Sequence, residues 1–359
     1  MGTRPCLAAY TEGGNKLTVV LALIIIAILI LVHEWGHFMA ARRIGIPVYE
    51  FSLGFGTRLF SKKKDGVEYS LRLIPLGGYV RMAGEEPGDS DDPNGFNHRT
   101  PLEKMAVSFA GPFMNFVLAI IIFIYTFAVI GVAQPVDKAI LGEVIKDKPA
   151  YQAGLQSGDK ILAVNQQKVS SWEGFVGVIQ NEPAGQPIQL TIERKGKTRE
   201  LTVTPTVNES TGKSILGVYS QIEYKRQGII TAIKMGFIQT YQMTVLLLQG
   251  LGLLISGGAS ASDLAGPVGI ASMVGEAARG GMVYLLSFTA FLSINLGILN
   301  LLPIPALDGS RFVFAIVEAI RRKPMDPERE GFIHWIGFLF LMGLIVLATY
   351  NDIVRLIKG

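Results

Sequence analysis

The sequence is poor in cysteine, in histidine and in charge. Cys6 is the only cysteine among 359 residues, so the chain holds no intramolecular disulfide and no cysteine-based zinc site. Only 17% of the residues are charged, whereas about a quarter are charged in a typical soluble domain. This balance excludes an ordinary soluble enzyme and indicates an integral membrane protein with some soluble mass. The net charge of +4 is small and gives no indication of nucleic-acid binding.

What the sequence has instead is long apolar runs, and the first of them leads into two of the four histidines. Leu17–Val32 is free of charge and is followed at once by His33, Glu34 and His37. As a helix this run is roughly 24 Å long, which is less than the ~30 Å of a hydrocarbon core. The span must therefore include the His-Glu-His group, and ionisable side chains at that depth are costly unless they have a function.

The spacing of the three side chains is that of the H-E-x-x-H zinc hydrolase motif. Residues four apart lie on one face of a helix, so His33 and His37 can both direct a ring nitrogen at one ion. Glu34 is turned about 100° around the helix, where it reaches a water on that ion more easily than the ion itself. The pattern favours a zinc site over the alternative of two interfacial histidines beside a solvated glutamate.

A catalytic zinc site needs a third protein ligand, and this must come from elsewhere in the chain. Asp308 follows the apolar run Met282–Leu302 and two prolines that break the helix. The chain has a basic loop, Arg42 to Lys104, after the first apolar run, and a second basic cluster follows Asp308 at Arg311, Arg321, Arg322 and Lys323. Both clusters are predicted to lie on the cytoplasmic side of the membrane. A helix cap in an Asp-Gly turn is the alternative for Asp308, and His98 and His334 are rival ligands.

The segments between the apolar runs divide the chain. The predicted parts are a polar segment, 1–16; the first half of a membrane core, 17–133; a soluble domain, 134–207; amphipathic or interfacial helices, 208–280; and the second half of the core, 281–359. Tyr49–Leu59 and Tyr69–Met82 are strand-like and predict a β-hairpin in the first basic loop, with Gly77 and Gly78 allowing close backbone approach. Asn115, in the second apolar run, requires a partner in a neighbouring helix or in nearby backbone.

The soluble domain resembles a PDZ domain. The resemblance is carried by the run A-G-L-x-x-G-D-x-I-L-x-V-N, from Ala153 to Asn165, and extends over nearly the whole segment. Such domains bind a peptide end as an added strand. The alternative is a packing or size-exclusion module that binds no peptide tightly, because a fold does not fix its use.

Together the motifs resemble the site-2 protease family of intramembrane zinc metalloproteases, particularly the bacterial regulator-of-sigma-E type. The match includes H-E-W-G-H at His33–His37, G-P-x-x-N at Gly111–Asn115, G-P-V-G-I at Gly266–Ile270 and N-x-x-P-x-P-x-L-D-G at Asn300–Gly309. The resemblance implies Zn²⁺ held by His33, His37 and Asp308, and Glu34 as the catalytic acid and base. Substrate would be held by Asn300, Gly77, Gly78 and Asn115, with the hairpin as a membrane-associated clamp.

The predicted fold class is a polytopic α-helical membrane protein with four transmembrane helices, a membrane-associated β-hairpin and one inserted extracytoplasmic PDZ domain. Residues Gly228–Gly257 would lie along the outer leaflet or only dip into it. The expected activity is cleavage of single-span membrane proteins, such as anti-sigma factors or signal-peptide remnants, in the bacterial cytoplasmic membrane. The site is expected near the cytoplasmic side. The alternatives are a metal transporter or sensor, and a non-catalytic scaffold that carries a PDZ domain.

Overall fold

The structure, a computed structural model, describes residues 12–85, 92–208, 211–258 and 265–358. Cys6 and most of the predicted polar segment 1–16 lie outside these ranges. The helices are α1 (Glu12–Ile44), α2 (Pro101–Tyr125), α3 (Pro149–Gln152), α4 (Trp172–Asn181), α5 (Ile229–Ile255), α6 (Pro267–Arg279), α7 (Met282–Asn300), α8 (Asp308–Arg321) and α9 (Pro327–Lys358). A short 3₁₀ turn occupies Phe96–His98, and a π-helical turn, Thr126–Ile130, extends α2.

The strands fall into a long pair near the N-terminus and a group of short strands after α2. They are β1 (Val48–Lys64), β2 (Val67–Met82), β3 (Val132–Pro135), β4 (Leu141–Val144), β5 (Lys160–Val164), β6 (Gln167–Lys168), β7 (Ile188–Arg194), β8 (Lys197–Val203), β9 (Thr206–Val207), β10 (Ser214–Ile215), β11 (Val218–Ser220) and β12 (Ile222–Lys225). The chain forms two compact units, one made of Met1–Thr126 with Ile229–Gly359 and the other of Phe127–Gly228.

The helical unit carries apolar side chains on its outer surface. In the described residues five helices are long and apolar enough to cross a membrane, namely the four predicted spans and α5. Large side chains such as Val20 and Ile24 on α1 and Leu347 on α9 are about half exposed. A soluble protein rarely exposes so large an apolar surface, and a lipid environment accounts for it.

Helices α1 and α2 cross at very short range because glycines meet at the crossing. A Cβ atom added to Gly36 would lie 2.7 Å from the carbonyl carbon of Ala110 and 2.9 Å from Cα of Gly111. Small residues let two membrane helices bring their backbones together, where packing and hydrogen bonds replace the hydrophobic effect as the attraction. The crossing places the histidines of α1 beside the first half of α2.

The predicted hairpin is present, with Asp65 and Gly66 in left-handed conformation at its turn. Its pairing is more complex than the predicted two strands. Residues 48–53 pair with 78–82 on one edge and with 68–71 on the other, while 60–64 pair with 67–71. Bulges thus fold two long strands into a sheet that presents 78–82 as an edge strand.

The start of α6 is fixed by a carboxylate from the last helix. Both carboxyl oxygens of the buried Asp352 accept hydrogen bonds from backbone amides, Oδ1 from Gly266 at 3.1 Å and Oδ2 from Gly269 at 2.7 Å. A negative charge at a helix N-terminus satisfies free amides and complements the helix dipole. The G-P-V-G-I motif therefore begins a helix, with Pro267 at its first position.

The second unit is built on a four-stranded sheet of order β6-β5-β7-β8, with β4–β11, β3–β12 and β9–β10 as two-stranded pairs. Its core is apolar and includes Ile161, Phe175 and Leu190. The aspartate of the G-D motif, Asp159, is buried and accepts two hydrogen bonds of 2.6 Å from Arg194. The unit extends to Gly228, beyond the predicted boundary at Val207, because β10, β11 and β12 pair with its earlier strands.

Candidate metal centre

Three side chains from two distant helices converge at one point of the helical unit. The helical spacing of α1 places His33 and His37 one turn apart, and Asp308 is the first residue of α8. Oδ2 of Asp308 lies 3.0 Å from Nε2 of His33 and 3.2 Å from Nε2 of His37, and the two Nε2 atoms are 3.2 Å apart. The three residues form a group whose ligand atoms all lie within 4.8 Å of one another.

The hydrogen bond that His37 makes leaves an electron pair, not a proton, facing the centre of this group. Nδ1 of His37 lies 2.8 Å from the carbonyl oxygen of Val107 and must donate to it, so that Nε2 of the neutral ring is free to bind a metal. Oδ2 of Asp308 is buried and has no hydrogen-bond partner among the described residues. Two imidazole nitrogens and one carboxylate oxygen are the ligand types that zinc prefers, so the residues fit a zinc ion.

The amide of Asn115 lies behind His33. Asn115 is fully buried and its Nδ2 is 3.1 Å from Nδ1 of His33, while its Oδ1 has no partner in the described part of the chain. The two ends of an amide are nearly indistinguishable by shape, and the hydrogen-bond network decides between them. If Nε2 of His33 binds a metal, Nδ1 carries the proton and the oxygen of Asn115 has to accept it.

Glu34 lies in a cavity of about 480 Å³ that also contains the three candidate ligands. Edge strand 78–82 reaches this cavity through Tyr79, Val80 and Met82. Gly78 lies directly against the glutamate, since a Cβ atom there would be 3.1 Å from Cγ of Glu34 and 2.9 Å from the carbonyl oxygen of Ser52. The missing side chain is what allows this strand to approach the acid so closely.

A network of buried and partly buried polar side chains holds edge strand 78–82 in place through Tyr79. Arg72 donates to Oε1 of Glu50 at 2.8 Å and to the hydroxyl of Tyr79 at 2.7 Å, and Ser70 donates to Glu50 at 2.5 Å. Burial raises the pKa of the Glu50 carboxyl, but hydrogen bonds from Ser70 and Arg72 outweigh it and hold this pKa at about 2. Glu50 is therefore ionised at neutral pH, and the network fixes Tyr79 at the cavity wall.

Two ion pairs fix α8, the helix that carries Asp308. Nζ of Lys104 on α2 lies 2.7 Å from Oε2 of Glu318, with both side chains largely buried. Arg311 pairs with Glu85, and both residues line the cavity. Burial lowers the pKa of the Arg311 guanidinium, but the carboxylate of Glu85 raises it above its ordinary value. Such pairs are costly to break once buried, so they hold α8 in one position.

The other residues predicted for the site differ in their position relative to the cavity and to the group of three candidate ligands. Asn300 lines the cavity, and its Nδ2 donates to the carbonyl oxygen of Leu296 at 3.0 Å. Gly77 has a φ of 140°, and a side chain there would collide with the ring of Phe55. In the described residues, the rival ligand His98 lies in an exposed turn outside the group of three, and His334 lines the cavity without joining the group.

Gly111 packs directly against the ring of His37, a contact that reasoning from the residues did not predict. A Cβ atom at this position would overlap the ring of His37, at 2.6 Å from Cε1 and 2.8 Å from Cδ2. The ring of the second histidine therefore occupies the space that a side chain on α2 would fill. The G-P-x-x-N motif was the available signal, but the motif alone does not show which part of it faces the metal ligands.

The helices and this centre are those of a multi-pass membrane protein with a group of two histidines and one aspartate that could hold a metal ion. A family model described as Peptidase family M50 matches residues 21–344. The chain belongs to peptidase family M50, and with that family it is a zinc metalloprotease. This confirms the resemblance to site-2 proteases, the enzyme class and the metal that were predicted from the sequence.

Curated relatives match over almost their full length. Zinc metalloprotease RasP of Geobacillus kaustophilus is 36% identical over 415 residues, which covers 93% of this chain and 97% of the relative. Regulator of sigma-W protease RasP of Bacillus subtilis is 33% identical over 419 residues, with 94% of this chain and 99% of the relative covered. Among solved structures, the PDZ domain of an SdrC-like protein from Listeria monocytogenes matches with 20% identity and a TM-score of 0.22, covering 24% of this chain and 90% of that one.

Proposed function

We propose that this metalloprotease cuts peptide bonds within or beside the membrane helices of single-span proteins, and that His33, His37 and Asp308 hold its zinc. The observation that carries the proposal is that the His-Glu-His group lies at the end of an apolar helical run. A carboxylate from α8 completes the set of candidate ligands there. The name of the Bacillus subtilis relative, regulator of sigma-W protease, supports anti-sigma factors as one substrate class, and signal-peptide remnants are a second.

The substrate has to be presented as an extended chain, because a helix hides its carbonyl groups in its own hydrogen bonds. Edge strand 78–82 supports this role. In the described ranges no strand pairs with its second edge, and its residues Tyr79, Val80 and Met82 line the cavity. An unwound substrate segment would pair with that edge as an added strand, beside Glu34 and within reach of Asn300.

A zinc ion bound by the three ligands would polarise the scissile carbonyl and lower the pKa of a water molecule beside it. Glu34 then acts as general base and general acid. Its carboxylate accepts a proton from the attacking water and delivers that proton to the nitrogen of the leaving strand. Val80 and Met82 line the cavity beside Glu34, where this reaction would take place.

The proposal is tested by mapping the cut. Single-span candidates are expressed in a bacterium with the wild-type enzyme or with Glu34→Gln, and the fragments are identified by mass spectrometry. Cuts inside or within a few residues of the membrane segment are expected with the wild type alone. Replacing the substrate's helix-breaking residues there by leucine is expected to slow the cut, because unwinding costs more. Cuts far from the membrane segment would refute the proposal.

Asn115 is proposed to hold His33 in the tautomer that binds zinc. Asn115→Ala removes the acceptor for Nδ1–H and is expected to weaken zinc binding about 10- to 100-fold, the usual effect of losing such an outer partner. Asn115→Asp retains an acceptor and is the matched control, with affinity closer to that of the wild type. Zinc affinity is measured by competition with a chelator. Equal affinities for wild type and Asn115→Ala would contradict this role.

We also propose that α1, α2, α7 and α9 cross the membrane and that α5 does not carry the chain across. Gly236 on α5 packs against Ile124 at the end of α2, and α6 packs against Thr18 near the start of α1. Because α1 and α2 run in opposite directions, both contacts belong to one end of the helical unit. This supports the view that the chain enters and leaves α5 on the same side of the membrane.

In this topology the loops that carry Lys62 and Arg322 are cytoplasmic and the PDZ-like unit is outside, as the excess of basic residues indicates. The measurement is cysteine labelling in a Cys6→Ser background. Cysteines at Lys62 and Arg322 are expected to react only after the inner membrane is permeabilised, and one at Lys197 is expected to react in intact spheroplasts. Labelling of Lys62 and Arg322 from opposite sides would refute the arrangement.

The second unit, proposed as a PDZ domain, would screen substrates shortened by an earlier cut. A groove of about 400 Å³ lies between α4 and β11, with Phe175, Ile179 and Val218 in its walls. Its apolar lining supports a place for a newly formed peptide end.

A further inference from the structure

His334 has a proton to donate and no acceptor to receive it. Nδ1 of His334 lies 2.9 Å from the backbone nitrogen of Ala306 and accepts its N–H. A ring nitrogen that accepts carries no proton, so the proton of the neutral imidazole is on Nε2. Nε2 is buried and has no hydrogen-bond partner in the part of the chain that the structure describes.

The nearest carboxylate does not satisfy this donor. Oε1 of Glu330, one turn earlier on α9, is 3.8 Å from Nε2, which is too long for a hydrogen bond. Its negative charge nevertheless favours the proton on Nε2 over the alternative tautomer. A buried donor without an acceptor destabilises a fold, and such groups in native structures call for an explanation.

The ring is held rigidly beside the catalytic residues. Phe314 on α8 meets it edge-on, with ring centroids 5.6 Å apart and an interplanar angle of 86°. One turn further along α9, Gly337 packs against Pro305, where an added Cβ atom would lie 2.5 Å from the carbonyl carbon. His334 is therefore fixed against the turn that precedes Asp308, and it lines the same cavity as Glu34 and Asn300.

The missing partner is therefore a group that enters this cavity. A substrate helix that unwinds there exposes backbone carbonyl oxygens that have lost their own hydrogen bonds, and at membrane depth they need new donors. We propose that Nε2–H of His334 donates a hydrogen bond to a backbone carbonyl of the unwound substrate. This inference rests on the proposed function, and it makes His334 a substrate-binding residue that recognises the peptide backbone and not a particular side chain.

Two substitutions separate this role from a purely structural one. In His334→Asn the amide oxygen can take the place of Nδ1 and keep the bond from Ala306, whereas the donor at Nε2 is lost. In His334→Gln the longer amide can place a donor near the position of Nε2, whereas the acceptor for Ala306 is lost. His98→Asn, at the exposed histidine of the Phe96–His98 turn, is the matched control.

The experiment uses purified full-length enzyme in detergent with a single-span substrate that the wild type cuts. For His334→Asn we expect the zinc content and Tm of the wild type and a kcat/KM about tenfold lower, as for the loss of one hydrogen bond. In a Glu34→Gln background, His334→Asn is expected to raise the Kd for uncut substrate. His334→Gln is expected to be more active than His334→Asn despite a lower Tm.

The inference is overturned if His334→Asn keeps kcat/KM within threefold of the wild type, or if its loss of activity follows a loss of zinc. Failure of the proposed function has a different signature, because then the wild type itself does not cut the substrate in the membrane segment. If the wild type cuts the substrate and His334→Asn does so with unaltered kinetics, the proposed protease function stands and the role of His334 as a hydrogen-bond donor is refuted.

Discussion

Glu34→Gln is expected to reduce cleavage by about 10³-fold, within the range for loss of a general acid–base group. The amide has nearly the shape of the carboxylate, so it still fits against Gly78 in the cavity, where a Cβ atom would be only 3.1 Å from Cγ of Glu34. It cannot accept the proton of the attacking water or return it to the leaving nitrogen. The rate is measured on purified enzyme with a single-span substrate.

Zinc content is the control for this variant. Glu34 lies outside the group of three ligands, so Glu34→Gln is expected to retain zinc at the wild-type ratio. The combination of bound metal and lost cleavage distinguishes a catalytic base from a ligand. It also distinguishes a protease from a transporter, which does not require a base beside its first histidine. A variant that keeps more than a tenth of the wild-type rate would refute the role of Glu34.

Asp308→Ala is expected to remove zinc from the protein. Loss of an outer hydrogen-bond partner weakens zinc binding by about 10- to 100-fold, and loss of a direct ligand is expected to exceed the upper end of that range. Two histidines 3.2 Å apart at Nε2 would remain, without the carboxylate that neutralises part of the ion's charge. The metal-to-protein ratio after dialysis against buffered zinc is the measurement.

Asp326→Ala is the matched control for this second change. Its side chain is about half exposed, pairs with Arg329 and accepts the backbone N–H of Glu328 at 3.1 Å. It removes the same charge near the start of α9 without touching the cavity, so full zinc content is expected. A folded Asp308→Ala protein that retains a full complement of zinc would show that the ion is bound elsewhere.

The sequence was sufficient to predict the parts of the site that depend on local geometry. The four-residue spacing of His33 and His37 places both rings on one face wherever α1 is helical, and the structure has them there. Asp308 needed more, because no spacing links residues so far apart. The basic clusters and the motif around it supplied the connection.

The parts that could not be predicted depend on contacts between distant segments. Bulges in β1 and β2 let residues 48–53 pair with two segments, 78–82 and 68–71. A period-2 pattern of apolar residues shows which side chains share a face of a strand, but not which strand edges will pair. Strands β9 to β12 are two to four residues long, too short to give a pattern, so the second unit was expected to end at Val207. The space that Gly111 leaves for the ring of His37 is likewise visible only when α1 and α2 are docked.

With the ligands proposed above, the distance along the chain between α1 and α8 also sets the order in which the metal site is completed. The ribosome completes both histidines early, while the carboxylate that joins them is made only near the end of translation. It must then be locked in place by the pairs Lys104–Glu318 and Glu85–Arg311. With this ligand set, a nascent chain cannot complete the metal site until α8 has been synthesised and has docked against α2.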